Sequence, residues 1–86
     1  MKFVEPRPFE DAAAAAAQIL DIANGIGPDR DGRISVGVIN KEFMALGGSA
    51  PEYSAGLKLA ISGGYLDLHR SGAFVTFTQK GADKFA

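Results

Sequence analysis

Leu66-Asp67-Leu68-His69-Arg70-Ser71-Gly72-Ala73-Phe74-Val75-Thr76-Phe77 is the stretch whose pattern decides the fold. Apolar and polar residues alternate on both sides of Ser71-Gly72, as they do in two half-buried strands joined by a tight turn. With Ser71-Gly72 as a two-residue turn, Leu68 faces Val75 across the hairpin and Leu66 faces Phe77. Those four share one face, while Asp67, His69, Phe74 and Thr76 take the other. A slip of one residue would turn every side chain over, so the pattern specifies the register.

Upstream, three helical patterns precede this hairpin. Ser49-Ala50-Pro51-Glu52 matches a capping box, in which Ser49 and Glu52 satisfy each other's orphan amides and Pro51 fits the first turn. The helix it opens runs to Ser62, with Tyr53, Leu57, Ala60 and Ile61 facing inward and Gly63-Gly64 as the stop. Before it, Val36 to Leu46 places Val36, Ile39, Phe43 and Leu46 on one side and ends at Gly47-Gly48. Arg33 to Val36 has room for a very short strand after the polar turn Asp29 to Gly32. The first helical pattern starts at Phe9 and contains the unbroken alanine run Ala12 to Ala17. Its inward positions are Phe9, Ala12, Ala16, Ile19, Ile22 or Ala23, and Ile26, and Asn24, Gly25 and Gly27-Pro28 end it. Pro6 and Pro8 make 1–8 an extended lead-in. Downstream, Thr78 opens a short terminal helix with Ala82 and Phe85 placed to pack back on the core.

Composition agrees with one small folded unit, 1–86. The chain has 86 residues, 47% hydrophobic and 22% charged, which is the make-up of a globular domain and not of a disordered one. At this length only about 60–65% of the unfolded surface can be buried, so the core is small. Nine Lys and Arg against ten Asp and Glu give a net charge of -1, which excludes binding to nucleic acid or anionic membrane by overall charge alone. The absence of cysteine excludes disulfides, thiolate nucleophiles and Cys-ligated metals, and His69 is the only histidine. No stretch has the basic start and long apolar centre of a secretory signal or the length of a membrane span. The expected location is the cytoplasm.

The order is therefore helix, short strand, helix, tight glycine turn, helix, hairpin, helix, an α+β arrangement. Over roughly 9–86 it resembles the winged-helix family of small bacterial DNA-binding domains, a three-helix bundle with a short strand, a hairpin wing and a short terminal helix. The residues that carry the resemblance are the run from Leu57 through Gly63-Gly64 to Leu66, the hairpin, and Phe77-Thr78-Gln79-Lys80-Gly81. The last run is similar to the Leu-Thr-x-x-Gly segment that closes the wing in such regulators, with Phe77 in the leucine position.

The resemblance implies that the third helix, 51–62, is a recognition helix and that the hairpin, 65–78, is a wing on duplex DNA. At about 100° per residue with Leu57 inward, Glu52, Ala55, Leu59 and Ser62 point outward, flanked by Gly56 and Lys58. His69, Arg70 and Ser71-Gly72 form the wing tip, where an arginine can meet phosphate or a minor groove. From Gly48 to Gly72, Lys58 and Arg70 are balanced by Glu52 and Asp67, so there is no basic footprint. An outward Leu59 suits a protein partner as well, and docking through Leu59, Ala55 and Phe74 is the alternative to DNA. Ala13, Ala14 and Ala17 form a second small face on the first helix. It serves either close approach in a homodimer or helix propensity alone.

Other chemistry is not expected. Asp29-Arg30-Asp31-Gly32-Arg33-Ile34 imitates the centre of an EF-hand loop, but the first position would be Gly27 and the twelfth Val38, where the loop needs Asp and a bidentate Glu. Gly25-Ile26-Gly27 starts like a dinucleotide fingerprint, yet it follows a helix and has Arg30 where the third glycine belongs. Asp67, His69 and Ser71 supply a triad's residue types on an exposed hairpin without a pocket or oxyanion hole. The expectation is a non-enzymatic binding protein with no metal, cofactor or membrane partner.

Overall fold

The structure is a computed structural model that describes residues 9–86; the lead-in at 1–8 lies outside them. In chain order the elements are α1 (Ala12–Ile26), β1 (Ile34–Ser35), α2 (Val36–Ala45), α3 (Ala50–Ser62), β2 (Leu66–Leu68), β3 (Phe74–Phe77) and α4 (Gln79–Lys84). Four helices thus pack with a three-stranded antiparallel sheet of order β1-β3-β2. Among the described residues no helix is long and apolar enough to cross a membrane.

Short polar residues set the helix starts. The side chains of Asp11, Ser35, Ser49 and Thr78 each accept a backbone N–H from the first turn of α1, α2, α3 and α4 respectively. The capping box at α3 is complete, since Ser49 N–H donates to Glu52 Oε1 at 2.9 Å and Glu52 N–H donates to Ser49 Oγ at 3.3 Å. At its other end Gly64 takes φ +85°, while Gly64 N–H donates to Ile61 O and Tyr65 N–H to Ala60 O, both at 3.0 Å. That left-handed step closes α3 and turns the chain directly into β2. The first helix continues through Asn24 and Gly25 to Ile26 and ends at the expected Gly27-Pro28 stop, its closing bond running from Gly27 N–H to Ala23 O.

The hairpin register is the expected one, with Leu66 opposite Phe77, Asp67 opposite Thr76 and Leu68 opposite Val75. The turn is wider than two residues. His69 N–H donates to Phe74 O and His69 O accepts from Gly72 N–H, so Arg70 to Ala73 form the connection. An even loop of four leaves the register of an even loop of two unchanged. On the other edge β1 pairs Ile34 with Val75, which places Val75 at the centre of the sheet.

Ile34, Leu66 and Val75 point from the sheet into a core completed by Ile19 and Leu20 of α1, Ile39 and Phe43 of α2, and Tyr53 and Ala60 of α3. Phe9 stacks on Phe43 at 4.7 Å and Phe43 on Tyr53 at 5.6 Å, which ties the start of the described chain to α2 and α3. Several expected inward positions are not buried. Leu46, at the end of α2, is 52% exposed, Ile26 is 37% exposed, and Leu68, on the edge strand, is 46% exposed. All three lie where an element has run past the core. Ala82 is also exposed, whereas Phe85 packs edge-on against Phe77 at 5.9 Å.

The main correction concerns how α1 meets α3. The buried residues of α3 are Tyr53, Gly56 and Ala60, and Leu57 and Ile61 lie only partly buried beside them. Gly56 faces Ala15 and Ile19, and a Cβ added there would stand 2.7 Å from the Ala15 Cβ and 2.9 Å from its backbone carbon. The helices therefore meet through small residues, with backbones close together. Gly56→Ala should lower the unfolding free energy by about 1–3 kcal/mol through overpacking, although alanine is the better helix former by about 1 kcal/mol. Urea denaturation measures the change; a neutral or stabilising result would mean that the two helices stand further apart.

Candidate functional site

With Gly56 and Ala60 held against α1, the residues of α3 turned to solvent beyond its first two are Ser54, Ala55, Lys58, Leu59 and Ser62. Of the four outward and two flanking positions inferred from sequence, Ala55, Lys58, Leu59 and Ser62 are thus brought together, with Leu59 40% exposed, whereas Gly56, expected on the flank, is buried against α1. Glu52 is not among them. It is partly buried and its carboxylate turns back to Ser49 N–H in the capping box, so it is committed to the helix start. Ser62 Oγ donates to Leu59 O at 3.3 Å, which leaves its oxygen able to accept.

Between α3 and the edge strand lies an apolar groove of about 430 Å³, lined by Tyr53, Leu57, Ile61 and Leu68, with Ser54, Lys58 and Ser62 also on its walls. Lys58 and Leu68 line one groove, so one flank of the solvent-facing side of α3 adjoins the hairpin strand β2. Sequence reasoning assigned Leu57 and Ile61 to the core and missed the groove. The signal was present in Tyr53, Leu57 and Ile61 at four-residue spacing beside the smaller Gly56 and Ala60.

Tyr53 anchors the end of this groove. Its hydroxyl donates to Val36 O at 2.9 Å, linking α3 to the first residue of α2. Burial pushes its phenol up to about 12 from 10.0. A raised value in the folded state means that the neutral phenol's contribution is complete below pH 10.0 and is lost as the pH rises through about 12. In a Tyr65→Phe background Tyr53 is the only tyrosine, and phenolate absorbance should then rise with a midpoint of about 12. A midpoint near 10.0 would contradict the burial.

The hairpin tip carries His69, Arg70 and Ser71. Arg70 and Ser71 are exposed and His69 is partly so. His69 Nδ1 lies 2.8 Å from Ser71 Oγ and accepts Ser71 N–H at 3.1 Å, and the His69 ring meets Phe74 edge-on at 6.2 Å. Arg33 reaches across from β1 to the same aromatic, 5.6 Å from its ring centre. Lys80 is used structurally. Its Nζ donates to Gly63 O at 2.8 Å and lies 4.5 Å from the Tyr65 ring centre, so it holds α4 to the end of α3.

The acidic turn has a local role. Asp29 Oδ1 accepts Asp31 N–H at 2.8 Å and Arg33 N–H at 3.0 Å, and Asp29 N–H donates to Arg33 O at 2.9 Å. The carboxylate thereby organises the loop that feeds β1. The bond from Arg33 N–H, then that from Asp31 N–H, hold its carboxyl below the ordinary 3.8. A lowered value means that the loop bonds persist above pH 3.8 and are lost as the pH falls through the lower folded value. The Arg33 and Asp31 amide shifts should therefore hold steady down to that range, and micromolar calcium should leave them unmoved. A transition above pH 3.8, or a micromolar calcium response, would contradict this assignment.

Among the described residues no group of three or more His, Asp or Glu side chains converges where it could hold a metal ion. Comparison with protein-family models, with curated proteins and with solved structures returned no match.

Proposed function

We propose that this chain is a winged-helix DNA-binding domain, regulator-like, whose α3 enters a major groove while the hairpin touches the phosphate backbone. The order α1-β1-α2-α3-β2-β3 with sheet order β1-β3-β2 supports the fold assignment. The observation that carries the functional reading is the groove shared by α3 and the hairpin strand β2, with Lys58 on its wall and Arg70 exposed two residues beyond Leu68. Ser54 and Ser62 add neutral hydrogen-bonding groups, which serve phosphate or base edges.

Two cations make a modest electrostatic footprint. Lys41, exposed on α2, is a further cation, whereas Lys80 is already held by Gly63 O and Tyr65. A single domain consequently binds nonspecific duplex weakly. Useful affinity comes from a two-fold dimer that presents two α3 helices and two wings to adjacent half-sites.

A second reading, a protein-interaction module, is favoured by the groove of Tyr53, Leu57, Ile61 and Leu68, which is apolar where a DNA interface is usually polar and basic. Fluorescence anisotropy with a short duplex between low and moderate salt separates the two. Wild type should bind weakly at low salt, and Arg70→Ala should weaken binding to every sequence and flatten the salt slope by about 0.9. Lys58→Ala should do the same, or relax one base preference as well if it reaches a guanine edge. If wild type binds no duplex at low salt, the DNA reading fails and the protein-partner reading replaces it.

A further inference from the structure

At the wing tip, Ser71 N–H can only donate, so the His69 Nδ1 that receives it at 3.1 Å must carry a lone pair. That bond belongs to the neutral form of the ring, with its proton on Nε2. Ser71 Oγ, 2.8 Å from the same nitrogen, then donates its hydroxyl proton to it while accepting Ala73 N–H at 3.2 Å. Two donors from one residue thus converge on one histidine nitrogen, and the chain from His69 to Ala73 is tied around it.

We propose that this tip is a proton-operated DNA contact: neutral His69 locks Ser71, and a proton taken up from solvent at Nδ1 releases Ser71 N–H and sets a second cation beside Arg70. After protonation Nδ1–H is a donor, so the Ser71 hydroxyl oxygen reverses its role and accepts from it, and Ser71 N–H turns to solvent or to a phosphate oxygen. The two Gly72–His69 and His69–Phe74 backbone bonds do not involve the ring, so the hairpin itself persists.

The surroundings are mixed in charge. Ser71 faces the imidazole from the tip and the Phe74 edge from β3, with Arg33 of β1 on that same aromatic. Arg70 is its neighbour in sequence, and Asp67, two residues back along β2, is the one anion on the same strand face. The regulatory consequence rests on the DNA reading above, whereas the coupling of Ser71 to the imidazole does not.

The test has two arms. In the free protein, nitrogen-15 NMR from pH 8 to 5 should show the Ser71 amide moving with the same midpoint as the His69 ring nitrogens, and His69→Gln should abolish that movement. A Ser71 amide indifferent to the ring's titration would overturn the switch whatever the protein binds. In the second arm, anisotropy with a duplex should show the salt slope steepening by about 0.9 between pH 8 and pH 5.5 in wild type and not in His69→Gln. Equal steepening in both proteins would overturn the added contact. Binding to no duplex at either pH would overturn the DNA reading and the added contact with it, while the first arm still decides the switch.

Discussion

The close approach of Gly56 to Ala15 is the constraint on which the other features depend. A Cβ at Gly56 would collide with the Ala15 side chain and backbone and with the end of Ile19, so α1 and α3 can come this near only with a glycine at that point. The short separation decides which side of α3 is buried. With Gly56 and Ala60 against α1, the larger Leu57 and Ile61 are left at the flank, and Lys58, Leu59 and Ser62 face solvent. A wider separation filled by leucine would rotate α3 and present a different set of groups.

The sheet then fixes the hairpin relative to that face. Val75 is buried in the central strand and pairs with Ile34 on one side and Leu68 on the other. Because β1 runs straight into α2 through the Ser35 cap, and β2 follows α3 through the Gly64 turn, both edge strands are tied to helices of the proposed binding unit. Lys80 adds a clamp between α4 and the end of α3. At the hairpin turn His69 Nδ1 accepts Ser71 N–H and lies 2.8 Å from Ser71 Oγ, a side-chain network that ends on an ionisable ring.

Much of this was legible in the sequence because its signals were unambiguous in period or chemistry. Alternation around Ser71-Gly72 admits one register, and Ser49 with Glu52 three residues later admits one helix start. On α3, Tyr53 and Ala60 are buried as expected, whereas Leu57 and Ile61 stand only partly buried beside the core and Gly56 takes the closest place, because packing against α1 requires the smallest side chain there. Ala15 was missed for a related reason: inside Ala12 to Ala17 every position has the same hydrophobicity, so periodicity has no contrast to detect. The groove follows from the same arrangement, since Leu57 and Ile61 line it while only partly buried. Nothing in the sequence marked Lys80 as a structural clamp, because its partners, a carbonyl and a ring seventeen and fifteen residues earlier, meet it only in the folded chain.

The central claim is that the Gly56 contact leaves one particular surface of α3, adjoining the hairpin strand β2, to meet duplex DNA. Mapping amide shifts of nitrogen-15-labelled protein during titration with a short duplex at low salt tests it most directly. The account predicts that the largest changes fall on Ser54, Ala55, Lys58, Leu59 and Ser62 and on His69 to Ser71, with the exposed α1 positions Ala13, Ala17 and Asp21 unmoved. Changes centred on α1, or no changes at any duplex concentration, would contradict it.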